Sequence, residues 1–230
     1  MYHRVLIKVS GEALSSEQSV ICRETVLKTA NMLKAIHKLG VQIGVVVGGG
    51  NIMRGRSAEG MERNRADHMG MLATAINALA LQDALEGIGV PCSVQSAVEM
   101  ERFCDSFSSR AARSALEEGK VVIFACGSGC PFFSTDTAAA LRAAEIGADA
   151  LLLAKNVDGV YSADPKTDPK AVKYTRITYD RVVAESLHAT DLTAITLCKE
   201  QNIPIRVFAL SQIEEVFADD SIGTHILACE

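Results

Sequence analysis

The chain has 230 residues, 48% of them apolar, and a formal net charge of −5. That size suits a single α/β domain with a large core, and the acidic balance argues against a dedicated nucleic-acid binder, which shows a basic face. No apolar run approaches the ~18 residues of a membrane span, no signal-peptide pattern leads into the first strand, and the seven cysteines form no C-x-x-C pair; reduced thiols and a cytoplasmic protein with no membrane or nucleic-acid partner are expected.

In chain order, the pattern predicts a strand over residues 4–9 and a helix over 24–39 that stops at Gly40. A strand over 41–47, a long apolar helix over 67–85 and a strand over 90–95 follow. Next come a helix over 109–118 and a strand over 121–125. A helix over 137–146 has Asp136 or Thr135 as N-cap and Gly147 just past its end. A strand over 150–154 completes a βαβα rhythm, which implies a mostly parallel sheet with helices on both faces. Residues 160–174 carry Asp-Pro twice (Asp164-Pro165 and Asp168-Pro169) and read as a proline-stiffened hairpin. Helices over 178–186 and 191–201 and a strand over 205–209 follow. Ser211-Gln-Ile-Glu214 reads as a capping box opening a last helix, and 223–228 as a final strand. With no repeat or linker, one domain over 1–230 is expected, with an N-terminal lobe to about residue 145 and a C-terminal lobe beyond it.

Three apolar runs each end in a glycine-rich turn: Ser10-Gly11, Gly48-Gly-Gly-Asn51 and Gly127-Ser-Gly129. A fourth, over 151–159, leads into the acidic hairpin. Buried parallel strands read as unbroken apolar runs, and ligands sit beyond their carboxyl ends. Glycine there lets backbone N–H groups approach an anion. Three such turns point to more than one phosphate group, hence to phosphoryl transfer. Lys8 ends the first run, just before Ser10 and Gly11, and suits a phosphate. Arg54, Arg56, Arg63 and Arg65 form a basic cluster. It reads either as a solvated loop or, for Arg54 just after the second turn, as a phosphate contact. Ser134-Thr-Asp-Thr137 puts two hydroxyls more than capping needs, with Asp136, at a helix start, able to hold an anion and orient a lysine or Mg²⁺. Asp149 is either a turn residue or a group that orients Lys8. No G-x-x-x-x-G-K-[ST] loop, protein-kinase signature or G-x-S-x-G elbow occurs, and Pro131-Phe-Phe133 stands where a Rossmann helix would begin.

Lys8-Val-Ser-Gly-Glu12, Gly48-Gly-Gly-Asn51 with Arg54-Gly55, Asp67-His-Met-Gly-Met-Leu-Ala73, Gly129-Cys-Pro-Phe-Phe-Ser-Thr-Asp136 and Val157-Asp-Gly-Val-Tyr-Ser-Ala-Asp-Pro165 together resemble the bacterial uridylate kinases of the amino-acid kinase superfamily. The match runs nearly end to end. The lysine and glycine turns are shared across the superfamily; the Asp-His-Met-Gly-Met and Pro-Phe-Phe-Ser-Thr-Asp segments are particular to the UMP-specific branch. The resemblance implies a three-layer αβα sandwich, transfer of the ATP γ-phosphoryl group to UMP, a homohexamer, UTP as feedback inhibitor, and Mg²⁺ carried by ATP with no metal ligands of the protein's own. It further implies ATP contacts at Lys8, Val9, Ser10, Gly11, Gly50, Arg54, Tyr161 and Asp164, and at Asn156 or Lys155. UMP contacts are implied at Gly49, Asp67, Ser128, Gly129, Cys130, Pro131, Phe132, Phe133, Ser134 and Thr135. Lys8, Arg54, Asp136 and Asp149 form the expected catalytic set.

The stretch 14–21 is short and lacks the glycines that the family associates with GTP activation. Two rival readings stand beside the kinase. A sibling acting on an amino acid or carbamate would share Lys8 but not the apolar Pro131-Phe-Phe133 pocket. A non-catalytic nucleotide-sensing subunit would tolerate loss of Lys8, Asp136 and Asp149, all of which are present.

Overall fold

Side chains alternate between the two faces of a strand, and in the first strand this sets one lysine apart from the core around it. The structure is a computed structural model that describes residues 2–53, 60–165, 167–187 and 190–229. Strand β1 is Arg4–Val9, followed by α1 (Arg23–His37), β2 (Gln42–Val47), α2 (Arg63–Gly87), β3 (Cys92–Ser96), β4 (Asp105–Ser106), α3 (Ser109–Glu117), β5 (Val121–Ala125), α4 (Thr135–Ile146) and β6 (Ala150–Lys155). The hairpin strands β7 (Val160–Tyr161) and β8 (Lys173–Tyr174) come next. Then follow β9 (Arg176–Thr178), α5 (Tyr179–Ala184), α6 (Leu192–Gln201), β10 (Ile205–Ala209) and β11 (Thr224–Leu227).

Among the described residues, nine strands form one sheet in the order β4-β3-β5-β2-β1-β6-β10-β11-β9. Every neighbouring pair is parallel except β10 with β11. The strand order turns back at β1, which lies between β2 and β6, and an α/β sheet opens a crevice at such a reversal. Val5, Ile7 and Val9 face one side, packing with Leu33 and Ile36 of α1 and Leu81 and Leu85 of α2. Leu6, Phe124, Leu151 and Leu153 face the other, against Ala139, Ala140 and Ala143 of α4 and Ile195 of α6. The result is a mostly parallel sheet with helices on both faces, as the alternating pattern predicts, and the αβα sandwich that the resemblance implies.

Several details depart from the sequence expectations. Helix α2 begins at Arg63, four residues early, because the Arg63–Asp67 pair one turn apart supports its first turn. The N-cap of α4 is Ser134, whose Oγ accepts from the N–H groups of Asp136 and Thr137. That leaves the Asp136 carboxylate free for other partners. The expected helix after Ser211 is only two 3₁₀ turns, Leu210–Gln212 and Glu215–Phe217. The buried Arg206 guanidinium donates there to the carbonyls of Val216, Asp219 and Ile222, which a continuing α-helix would use internally. The short edge strands β4 and β9 show no alternation long enough to read from sequence.

Candidate active site

Lys8 shares its face of β1 with Leu6, and Lys155 shares its face of the adjacent β6 with Leu151 and Leu153. Register pairs Lys8 with Leu153, so both lysines project from neighbouring strand ends toward the layer that holds α4. Asp136, in the first turn of α4, meets them both. Lys8 Nζ lies 2.9 Å from Oδ1 and Lys155 Nζ 2.7 Å from Oδ2, while Thr190 Oγ1 donates to Oδ2 at 2.8 Å. Oδ2 therefore has two aligned donors. Oδ1 is the oxygen that faces the Lys8 ammonium. Burial pushes the Asp136 carboxyl upward, but the ammoniums of Lys8 and Lys155 outweigh it and hold the group far below the usual carboxylate range.

The three glycine turns converge beside this centre around a cavity of about 530 Å³. Gly11, Gly49 and Gly127 mark the three turns on its wall, with Lys8 between them. The approach is close enough to exclude any other residue at two positions. A Cβ on Gly11 would lie 2.2 Å from Asn51 Oδ1 and 2.7 Å from the Gly48 carbonyl, and one on Gly49 would lie 2.8 Å from the Gly70 carbonyl. The fully buried Asn77 of α2 holds the second turn from beneath, donating to the Gly48 carbonyl at 2.7 Å and to Asn51 Oδ1 at 2.8 Å.

On the far wall, Asp67 Oδ2 accepts from Arg63 Nε and from the backbone N–H of Phe132, both at 2.8 Å. Phe132 sits at φ +72°, a left-handed conformation that costs a non-glycine residue about 1 kcal/mol or more. The Asp67 bond and the Arg63 guanidinium 5.7 Å over the Phe132 ring hold it there. Ser128, Cys130, Phe133, Ser134 and Thr135 line the cavity, and the Ser128 hydroxyl spans the backbone of Cys130. Gly129 belongs to the same turn, whereas Pro131 and Phe132 lie outside the cavity lining.

A second cavity of about 370 Å³ opens under the hairpin, lined by Lys155, Gly159, Tyr161, Asp164 and Leu187. Tyr161 donates its hydroxyl to Asp158 Oδ1 at 2.7 Å, and Lys173 pairs with Asp158 Oδ2. Lys155 thus borders one cavity while its ammonium reaches the carboxylate beside the other.

Ser10 and Gly50 line the first cavity, as expected from their turns. Val9 is fully buried in the α1/α2 core, so only its backbone is available to a ligand. Asn156 is exposed and lines neither cavity; of the two neighbouring candidates, Lys155 is the one at the centre. Arg54 lies outside the described residues. Asp149 requires a correction. It sits at the amino end of β6, level with Arg4, and its Oδ2 accepts the N–H groups of His3 and Arg4 at 2.6 and 2.9 Å. At ~3.3 Å per residue it lies roughly 13 Å along the strands from Lys8, so it does not orient that lysine.

Sequence reasoning missed the paired role of Lys155, although a lysine closing an apolar strand with the parity of Lys8 was a usable signal. It also missed Asn77, a polar residue within an apolar helix pattern, and Thr190, which nothing local marks. Among the described residues, no group of three or more His, Cys, Asp or Glu side chains is arranged to hold a metal ion.

The chain belongs to the amino acid kinase family, whose profile matches residues 3–209. It is 50% identical over 232 residues to a uridylate kinase of Pediococcus pentosaceus, covering 98% of this chain and 96% of that protein. Among solved structures, it is similar to a UMP kinase from Bacillus anthracis (TM-score 0.95, 34% identity, 99% of this chain and 96% of that one). It also matches a UMP kinase from Ureaplasma parvum (TM-score 0.92, 37% identity, 99% of each chain). A uridylate kinase from Archaeoglobus fulgidus aligns with a TM-score of 0.75 at 30% identity, over 96% of this chain and 99% of that one.

Proposed function

We propose that this protein is a UMP kinase, transferring the γ-phosphoryl group of ATP to UMP to give UDP. The observation that carries the reading is the convergence of three phosphate-type turns on two lysines that share one carboxylate. The end-to-end similarity to uridylate kinases supports the choice of acceptor.

A phosphate monoester has a second pKa near 6, so UMP reaches the site as a dianion and needs no general base. The barrier lies in bringing two anions together, and catalysis is positioning plus charge neutralisation. In this reading UMP occupies the larger cavity. Its phosphate meets Gly49, Thr135 and the turn from Ser128, Phe133 packs on its base, and Asp67 holds its ribose. ATP lays its adenosine against Tyr161 and Asp164, and its phosphates run past Lys155 to Lys8, Ser10, Gly11 and Gly50. Arg54 is assigned to the phosphates by resemblance. Lys8 and Lys155 neutralise the transferring group, and Asp136 aims both ammoniums. The residues present fit an Mg²⁺ ion that arrives on the ATP phosphates, because the one buried carboxylate at the centre is already taken by two lysines and a hydroxyl. Bound there, the ion would offset charge on the β- and γ-phosphates.

We further assign an N-terminal acceptor lobe and a C-terminal ATP lobe divided near residue 145, a cytoplasmic location, and UTP as a competing uridine ligand. No helix among the described residues is long and apolar enough to cross a membrane. Association into a homohexamer is supported by the exposed Met69, Leu72 and Ile76, which form one apolar stripe along α2. Light scattering on the purified protein tests it.

The decisive experiment is ADP release with Mg·ATP and UMP, CMP, dUMP, glutamate or aspartate as acceptor, repeated with GTP and UTP. Turnover confined to UMP is expected. Turnover with an amino acid overturns the acceptor assignment, and no turnover with any acceptor overturns the kinase reading.

A further inference from the structure

The third partner of Asp136 comes from outside the sheet and its turns. Thr190 stands two residues before α6, next to its N-cap Asp191; it lines neither of the two cavities described above but a third one of about 310 Å³. Its Oγ1 nevertheless donates at 2.8 Å to Asp136 Oδ2, the oxygen that also accepts from Lys155. A hydroxyl pair, Thr137 with Thr193, ties the same two helix starts together.

The torsion that turns a carboxylate about its Cβ–Cγ bond is broad and roughly two-fold. One donor leaves the plane free to pivot, whereas two donors on one oxygen fix it. That plane matters here because Oδ1 is the oxygen that meets the Lys8 ammonium, at 2.9 Å. Wherever Oδ1 points, the Lys8 ammonium follows. We propose that Thr190 is a positioning residue: its hydroxyl locks the Asp136 carboxylate plane and thereby sets where Lys8 and Lys155 present their charges to the transferring phosphoryl group. The proposal rests on the phosphoryl-transfer reading above. A staple joining α4 to α6 would need no bond to this carboxylate, since Thr137 and Thr193 already supply one.

The test compares Thr190→Val, which keeps the shape without the hydroxyl, with Thr190→Ser, which restores it. With Mg·ATP and UMP, Thr190→Val is expected to lower kcat about 10-fold, the scale of losing one hydrogen bond to a charged group, with KM for both substrates within about twofold. Thr190→Ser should recover most of the loss. In a Lys155→Met background, adding Thr190→Val should change single-turnover rates less than about twofold, because the two residues act through one carboxylate. A folded Thr190→Val enzyme with wild-type kcat, or full additivity with Lys155→Met, overturns the proposal.

A second readout needs no substrate. The protected Lys155 ammonium resonance, assigned with Lys155→Arg in ¹H–¹⁵N spectra, should persist in Thr190→Ser and broaden in Thr190→Val. An unchanged resonance in Thr190→Val overturns the positioning role whatever the acceptor is. The expected broadening in a protein that does not phosphorylate UMP overturns the functional reading alone.

Discussion

Asp136→Asn removes one negative charge and leaves two ammoniums facing each other. The Lys8 and Lys155 side chains are only 10% and 24% exposed, so neither is well solvated where it stands. At separations of 2.9 and 2.7 Å, each pair has a gross attraction of about 6 kcal/mol at an effective dielectric of ~20. Desolvation of the three groups offsets much of that in the intact site. The asparagine variant keeps the desolvation and loses the attraction, a situation that typically costs about 3–5 kcal/mol. Urea unfolding followed by circular dichroism, at fixed protein concentration because association shifts apparent stability, measures it directly. Lys155→Met added to Asp136→Asn should recover part of the loss, since it removes one of the two uncompensated charges. The pH dependence has a definite sign. The folded Asp136 carboxyl titrates below its ordinary value of 3.8. Its contribution is therefore complete above about pH 4 and is lost as pH falls from there toward the folded pKa. Wild-type stability should fall more steeply than that of Asp136→Asn over this acid range. A loss under about 1 kcal/mol at pH 7, with parallel acid slopes for the two proteins, would refute Asp136 as the counter-charge of both lysines.

Lys8→Ala should lower kcat by about 10²–10³, the usual effect of deleting one group that stabilises transition-state charge, with the fold intact by circular dichroism. Asp67→Asn should raise the KM for UMP more than it lowers kcat, because Asp67 organises the Phe132 turn and the acceptor wall before the transition state; steady-state kinetics showing the reverse split would reject that role. Asp149→Ala should leave kcat unchanged and destabilise by about 1 kcal/mol, because the N–H groups of His3 and Arg4 lose a charged acceptor at an exposed strand end where water replaces it; a thermal melt beside an activity assay separates the two effects.

Much of this molecule is legible in one dimension. Unbroken apolar runs with intervening helical periodicity announce a parallel sheet covered on both faces. Gly11, Gly49 and Gly127 mark the turns that line the larger cavity, and Lys8 stands out as the polar residue closing an apolar strand. Ser134 through Thr137 reads as a helix start with polar groups to spare, although which of them caps the helix was decided by geometry, with Ser134 turning its Oγ onto two N–H groups. The missing helix after Ser211 shows local signals overridden from a distance. A capping box is present there, but the Arg206 guanidinium, fixed in a neighbouring strand, takes the carbonyls that helix would need.

The sequence by itself determined the fold class, the glycine-rich turns and one of the two lysines, because each depends on periodicity or on residue types within a few positions. Only the tertiary structure decided which charged groups meet. Asp149 and Lys155 lie at opposite ends of one strand, and nothing local says which end abuts Lys8. Parallel register with β1 settles it, setting Leu153 beside Lys8 and Ala150 beside Val5. The same register carries Lys155 to the Asp136 carboxylate and leaves Asp149 to hold the start of β1. Thr190 reaches that carboxylate only because α6 packs beside α4, a contact made by the layer that covers the sheet rather than by any neighbour in the chain.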